Sequence, residues 1–255
     1  MSTAQIQVSP EPQKRRRRSS PSPSAAPTAS RFARLGWGLL LLLALTLAVL
    51  GGRLLLAGMA SYQAESFIKD WNRSATTPAP RAWAVAQAAA QRAVTFYPGT
   101  DGDHYDRLGR IYEWQHAFAP FGDAAAEPSR QAARDAYRIA VTARPDWPYS
   151  WVQLAYVKLR LQEFDSEFDR AFAQGFELGP WRIDANRWLA EIGLLAWPQL
   201  SMAQRDQTLE SIRRTVAYSN AEARRLLTLV ESTGQQQLLC DALPFPLKTR
   251  RKICL

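Results

Sequence analysis

The chain has 255 residues, 47% of them hydrophobic, a formal net charge of +9, two cysteines and two histidines. That length and apolar share exclude a wholly disordered chain, and two cysteines exclude a disulfide-dense scaffold. The basic excess is local: before residue 35, Lys14, Arg15–Arg18, Arg31 and Arg34 stand against the single acid Glu11, a net +6, and the remaining 25 basic and 22 acidic residues give only +3.

Residues 1–34 read as a disordered basic cytoplasmic tail, rich in Pro, Ser, Ala and Arg and poor in large apolar side chains. Its arginine run is read as a topology signal beside anionic lipid, and no nucleic-acid partner is expected. Leu35–Gly52 follows, eighteen residues without a charge. As a helix this run is about 27 Å long, close to the hydrocarbon thickness of a bilayer. Residues 35–58 are therefore assigned to a single transmembrane helix, embedded through residues 36–57, with Arg53 reaching the headgroups. Positive charge before the span predicts a cytoplasmic N-terminus and a periplasmic C-terminal domain in a bacterial inner membrane.

Residues 59–80 read as a linker carrying a short helix, Ser61–Arg73. From 81 to 235 apolar residues recur at helical spacing and no convincing strand appears. Helices are expected over Ala82–Phe96, His104–Trp114, Arg130–Ala143, Tyr149–Leu161, Phe164–Phe176, Ile183–Ala196, Met202–Tyr218 and Ala221–Ser232, with a loop over Ala117–Glu127. The stops recur at Pro98, Pro145 and Pro180, the last two 35 residues apart, near the tetratricopeptide period. One unit carries that repeat's pattern in full: Tyr105, Leu108-Gly109 and Tyr112, then Ala133, Tyr137, Ala140 and Pro145. In the next, Ala155 replaces the glycine and Lys158 the tyrosine. The fold class expected is all-α: one N-terminal transmembrane helix followed by a tetratricopeptide-like helical repeat, an α-solenoid.

The strings Tyr-Pro-Gly-Thr-Asp-Gly-Asp (97–103), Asp-Arg-Leu-Gly-Arg-Ile-Tyr-Glu-Trp (106–114), Arg-Pro-Asp-Trp-Pro-Tyr-Ser-Trp (144–151) and Leu-Gly-Pro-Trp (178–181) resemble the VpsP-type proteins. These are inner-membrane proteins with a tetratricopeptide-like domain, associated with exopolysaccharide biosynthesis. The resemblance covers about 80–235. It implies a pathway, with other proteins of polysaccharide assembly or export as partners, and supplies no reaction.

Catalytic signals are weak. His104 beside Asp101 and Asp103 reads as a helix N-terminus rather than a metal site. The acids of Glu163–Asp169 read as a solvated face with Phe164 and Phe168 turned inward. No phosphate loop, nucleophile elbow or metal-ligand spacing occurs, so no enzyme, cofactor or metal is expected. Trp83, Trp147, Trp151, Trp181 and Trp188 read as packing residues. The expected role is a membrane-anchored scaffold for protein–protein interaction. The competing readings are a polysaccharide-modifying envelope enzyme and a general envelope chaperone or division-complex adaptor. Setting Tyr105 and Trp151 at the fourth repeat position places Asp106, Arg110 and Glu113 on the groove side of one hairpin, and Tyr149, Tyr156 and Arg160 on that of the next; these six are the expected partner-binding residues. In the C-terminal segment, 236–255, two prolines and a basic run make a poor helix. Cys240 and Cys254 are expected to form a disulfide there, in an oxidising compartment.

Overall fold

The structure, a computed structural model, describes residues 31–254. The reading of residues 1–30 as disordered falls outside them. The described residues are all-α, with eleven α-helices and one short 3-10 helix. The chain divides into two units, one ending at Leu47 and the other beginning at Ala48.

The first described element, α1 (Arg31–Ser74), corrects three expected boundaries. Its first turn takes in Arg31–Arg34, assigned above to the tail. It also runs unbroken through residues 59–74, where a linker and a separate short helix were expected. Gly51, Gly52 and Gly58 weaken a helix by about 1 kcal/mol each but leave its hydrogen bonds intact; only proline removes one, and α1 contains none. The true connector is the segment 75–79. α1 is the one described helix long and apolar enough to cross a membrane, with a mean hydropathy of 2.4 over its most apolar stretch. Its character changes at Arg53, which does not simply point outward. Arg53 Nε donates to the carbonyl of Phe96 at 3.0 Å and Nη2 to that of Thr95 at 3.2 Å. Beyond it Ala57, Ala64, Ile68 and Trp71 are buried.

The remaining helices are α2 (Pro80–Phe96), α3 (Gly102–Trp114), α4 (Glu127–Ala143), α5 (Pro148–Leu161), α6 (Ser166–Leu178), α7 (Ile183–Leu195), α8 (Met202–Tyr218), α9 (Asn220–Thr233), α10 (Gln236–Ala242) and α11 (Phe245–Arg251). Proline or a side-chain cap opens most of them. Pro80, Pro128 and Pro148 sit in first turns, where no amide hydrogen is needed. Asp101, Asp165, Ser201 and Ser219 accept hydrogen bonds from first-turn amides.

From α2 to α9 each helix packs on the next, and α5 lies also on α7, α6 on α8 and α7 on α9, so the hairpins stack. Small residues set the spacing. A Cβ on Gly109 would lie 2.6 Å from the ring of Tyr137. Glycine at 109 therefore lets α4 bring that ring fully under cover. Three apolar clusters hold the stack: Ile68, Trp71, Ala89, Leu108 and Ile111 near α1; Tyr137, Leu154, Phe172 and Leu189 in the middle; Ile212, Val216, Leu226 and Leu239 at the C-terminal end.

Two expectations about charge and helicity change. The acids after α5 are not merely a solvated face: Lys158 Nζ, fully buried, lies 2.9–3.0 Å from carboxylate oxygens of Glu163, Asp165 and Glu167. Phe168 is buried as expected. The C-terminal segment is also more helical than expected. Pro244 lies before α11 and Pro246 in its first turn, while Lys248, Arg250 and Arg251 fall in its last turn, where cations suit the helix dipole. A Cys240–Cys254 disulfide closes this segment.

Candidate functional site

Three helices present a single face each to one cleft. On α3 the spacing 106, 110, 113 repeats every three or four residues, and so does 149, 153, 156, 160 on α5, with 184 and 188 on α7. The stacking of α3, α5 and α7 aligns these faces around a cavity of about 440 Å³. All six residues expected from the sequence line it, together with Asn72, Trp114, Ala117, Gln153, Asp184 and Trp188.

The six do not play equal parts. Glu113 and Arg160 are buried at its floor, 9% and 4% exposed. Glu113 Oε2 accepts a 2.6 Å hydrogen bond from the hydroxyl of Tyr137, the ring seated against Gly109. Arg160 Nη2 donates to the carbonyls of His116 and Ala117 at 2.6 and 2.9 Å, which ties the loop between α3 and α4 to the cleft wall. Arg130 holds the same loop from behind, through the carbonyl of Ala119. Glu113 Oε1 and Arg160 Nε, both buried, have no hydrogen-bond partner among the described residues. Arg160 Nη1 approaches Glu113 Oε1 at 3.6 Å, an ion-pair distance too long for a good hydrogen bond.

Asp106 accepts a 2.9 Å bond from the Ser150 hydroxyl. Burial pushes its carboxyl above the usual range, against the pull of the Arg110 guanidinium and the Ser150 hydrogen bond. Burial likewise pushes Glu113 up, opposed by Arg160 and by Tyr137. Arg110 is the least engaged cation of the site, with its side chain 29% exposed and Glu65 at 3.5 Å as its ion-pair partner among the described residues. Aromatic groups form the walls. Tyr156 and Trp188 meet with ring centroids 4.7 Å apart, and Trp114 rests on Trp71 of α1 at 5.8 Å.

The cleft thus offers hydrogen-bond donors and acceptors between aromatic walls, an arrangement able to hold polar groups by hydrogen bonds and flat groups by stacking. The polar lining continues along α7: Arg187 and Glu191 border a second cavity of about 330 Å³ with Glu222 and Arg225. Among the described residues no group of His, Cys, Asp or Glu is placed to hold a metal ion. Asp101 instead caps α3, accepting from the amide of His104 at 2.9 Å.

Sequence reasoning missed half of the lining. Gln153 was within reach, four residues after Tyr149 and three before Tyr156. Asp184 and Trp188 share the same spacing, but α7 follows the Gly179-Pro180 stop, beyond the last unit in which the sequence pattern was traced. Trp188 was assigned to packing, and it does pack, against Tyr156 at the cleft wall. Trp181, also assigned to packing, is 95% exposed. Asn72 lies within the expected Ser61–Arg73 helix, which is continuous with the rest of α1.

A stack of helical hairpins with a polar, aromatic-walled cleft, joined to a helix able to cross a membrane, is the class of protein that fold and site define. No family model, curated protein or solved structure matches the chain.

Proposed function

We propose that the chain is a membrane-anchored, tetratricopeptide-like scaffold that receives a polypeptide segment of a partner in the cleft between α3, α5 and α7. The observation that carries this reading is the convergence on one cavity of six residues picked from two helices by repeat register alone. The cleft is open and polar, with one reachable arginine, and this suits an extended peptide better than a small apolar ligand. The anchor adds to affinity by confining the scaffold near membrane-bound partners, which raises their effective concentration. On the resemblance of residues 97–114, 144–151 and 178–181 to VpsP-type proteins, the partners proposed are proteins of polysaccharide assembly or export at a bacterial inner membrane.

Arg110 gives the sharpest test, because it is a partly exposed cation of the cleft whose one ion pair, to Glu65, is long at 3.5 Å. Arg110→Gln removes its charge while keeping a polar side chain, so that Glu65 and the buried Asp106 and Glu113 gain no like-charged neighbour. Capture of the partner by the tagged full-length chain from solubilised membranes is expected to fall at least tenfold, about 1.4 kcal/mol, with an unchanged melting curve. Undiminished capture removes the cleft from the reading.

Orientation has its own test. The +6 tail proposes a cytoplasmic N-terminus. Alkaline phosphatase fused after Leu255 is then expected to be active, since it matures only outside the cytoplasm. An inactive phosphatase paired with an active cytoplasmic reporter at the same site reverses the topology.

A further inference from the structure

The helices alternate in direction, so the ends of α2, α4, α6 and α8 and the starts of α3, α5, α7 and α9 share one edge of the stack. Contacts join that edge from end to end. Arg53 of α1 holds the last carbonyls of α2. Asp103, in the first turn of α3, accepts a 2.6 Å bond from Arg144 at the end of α4. The Arg144 guanidinium lies 3.8 Å from the ring centroid of Trp147, which Arg182 approaches from the next connection at 5.9 Å. Pro180, Trp181, Ala217 and Tyr218 border one shallow cavity of about 270 Å³. Arg251 of α11 then holds the carbonyls of Val216 and Ala217 at the end of α8.

This edge combines Trp and Tyr rings with arginines. Each connection carries an aromatic residue: Tyr97, Trp147, Trp181 and Tyr218. Trp181 is 95% and Tyr218 64% exposed, far more than packing requires. Arginines stand between them, and the basic run Lys248–Lys252 adjoins the last. Most of the edge's acids are engaged within the fold: Asp101 caps α3, Asp103 pairs with Arg144, and Asp184 pairs with Arg187. Asp146 and Glu177 are exposed among them. Tryptophan and tyrosine favour the level of lipid headgroups, where an apolar ring and a polar tip are both satisfied, and arginine pairs with lipid phosphate.

We infer that this edge, from Arg53 through Trp147 and Trp181 to Tyr218 and the basic turn of α11, is a second, peripheral contact with an anionic lipid surface. The inference rests on the reading that α1 spans a bilayer. Arg53 is its link: the residue that follows the uncharged run in the chain also holds the last carbonyls of α2 at this edge. With the edge on the headgroups, the stack is held at two places rather than swinging from one helix.

The test uses the full-length chain in nanodiscs containing phosphatidylglycerol. Both native cysteines are in the disulfide, so an introduced cysteine is the only free thiol. Nitroxide labels go on Ala217→Cys at this edge, on Gln199→Cys at the opposite edge, and on Ala44→Cys within the uncharged run. The first two sites are exposed. Collision of the Ala217 label with a water-soluble nickel chelate is expected to be at least threefold weaker than that of the Gln199 label. Adding Trp181→Ala and Tyr218→Ala is expected to abolish the difference. Equal accessibility at 217 and 199, with the Ala44 label buried among acyl chains, overturns the lipid contact and leaves the anchor standing. An aqueous Ala44 label overturns the anchor and this inference together.

Discussion

Lys158→Ala is expected to destabilise the helical stack by about 2–4 kcal/mol, because it empties the volume of a fully buried side chain and takes the ammonium from three partly exposed carboxylates. The lysine reaches three carboxylates, two of which also receive arginines: Arg134 Nη1 meets Glu163 at 2.5 Å and Arg138 Nη2 meets Glu167 at 2.7 Å. Without the ammonium, three like charges crowd the start of α6, and the volume of the stem is left empty beneath them. Lys158→Met separates these causes, because it refills the volume and leaves only the charge effect. Urea unfolding followed by circular dichroism measures both. A loss below about 1 kcal/mol for Lys158→Ala places the cluster in effective contact with water, where ion pairs are worth little.

The same cluster contributes to the acid limit of stability. The hydrogen bond from Arg138, and then that from Lys158, lowers the Glu167 carboxyl from 4.5 to about 2, in spite of partial burial. A carboxyl depressed by folding stabilises above its unfolded value, and that contribution is lost as pH falls from about 4.5 toward about 2. For Asp165 burial acts upward, but the Lys158 hydrogen bond and two backbone amides prevail and the net shift is down, so it contributes with the same sign. Asp106 and Glu113 in the cleft behave oppositely. Burial raises both, so protonation relieves the fold there as the medium acidifies. Glu167→Gln is therefore expected to flatten the acid limb of a stability–pH profile; an unchanged limb assigns acid unfolding to other carboxyls.

Opening the Cys240–Cys254 bridge is expected to have the next largest effect. Closing a loop of this length contributes about 3 kcal/mol in the chain-entropy account. The segment it closes is otherwise held by buried Leu239, Leu243 and Ile253 and by two arginine clamps, Arg213 on the carbonyl of Ala242 and Arg251 at the end of α8. Because α10 and α11 are only seven residues each, they have little stability of their own. Paired Cys→Ser substitution should release them while leaving α2–α9 folded. Limited trypsin digestion then cuts at Arg250 and Arg251 well before the rest of the chain. Equal resistance with and without the bridge shows that burial alone holds the segment.

The helical class and the apolar run could be read directly from the chain, because both are local properties. Eighteen uncharged residues make an apolar cylinder in any context, and apolar side chains three and four residues apart define a helix face without reference to partners. The repeat register went further. Asp106 and Tyr156 lie fifty positions apart in the chain, and the assumption that hairpins stack in phase sufficed to place them at one cavity. Cys240 and Cys254 stood out as a pair by count alone.

What required the tertiary structure was every property that depends on which face meets which neighbour. Leu35–Gly52 and Ser61–Arg73 looked like two helices because the pattern changes between them. The helix is continuous, and what changes at Arg53 is its surroundings. Lys158 looked like a decayed repeat position, since no local rule shows that three acids from the following turn fold back over its ammonium. Glu113 and Arg160 looked like exposed groove residues equal to Arg110. Their burial follows from the approach of Tyr137 past Gly109 and from the loop that Arg160 draws over the cleft wall. Trp181 and Trp188 had the same sequence signature of an aromatic near a helix start, yet one is open to solvent and the other lines the cleft. Periodicity specifies the face on which a side chain lies; exposure depends on what is stacked against that face, a contact made between residues far apart in the chain.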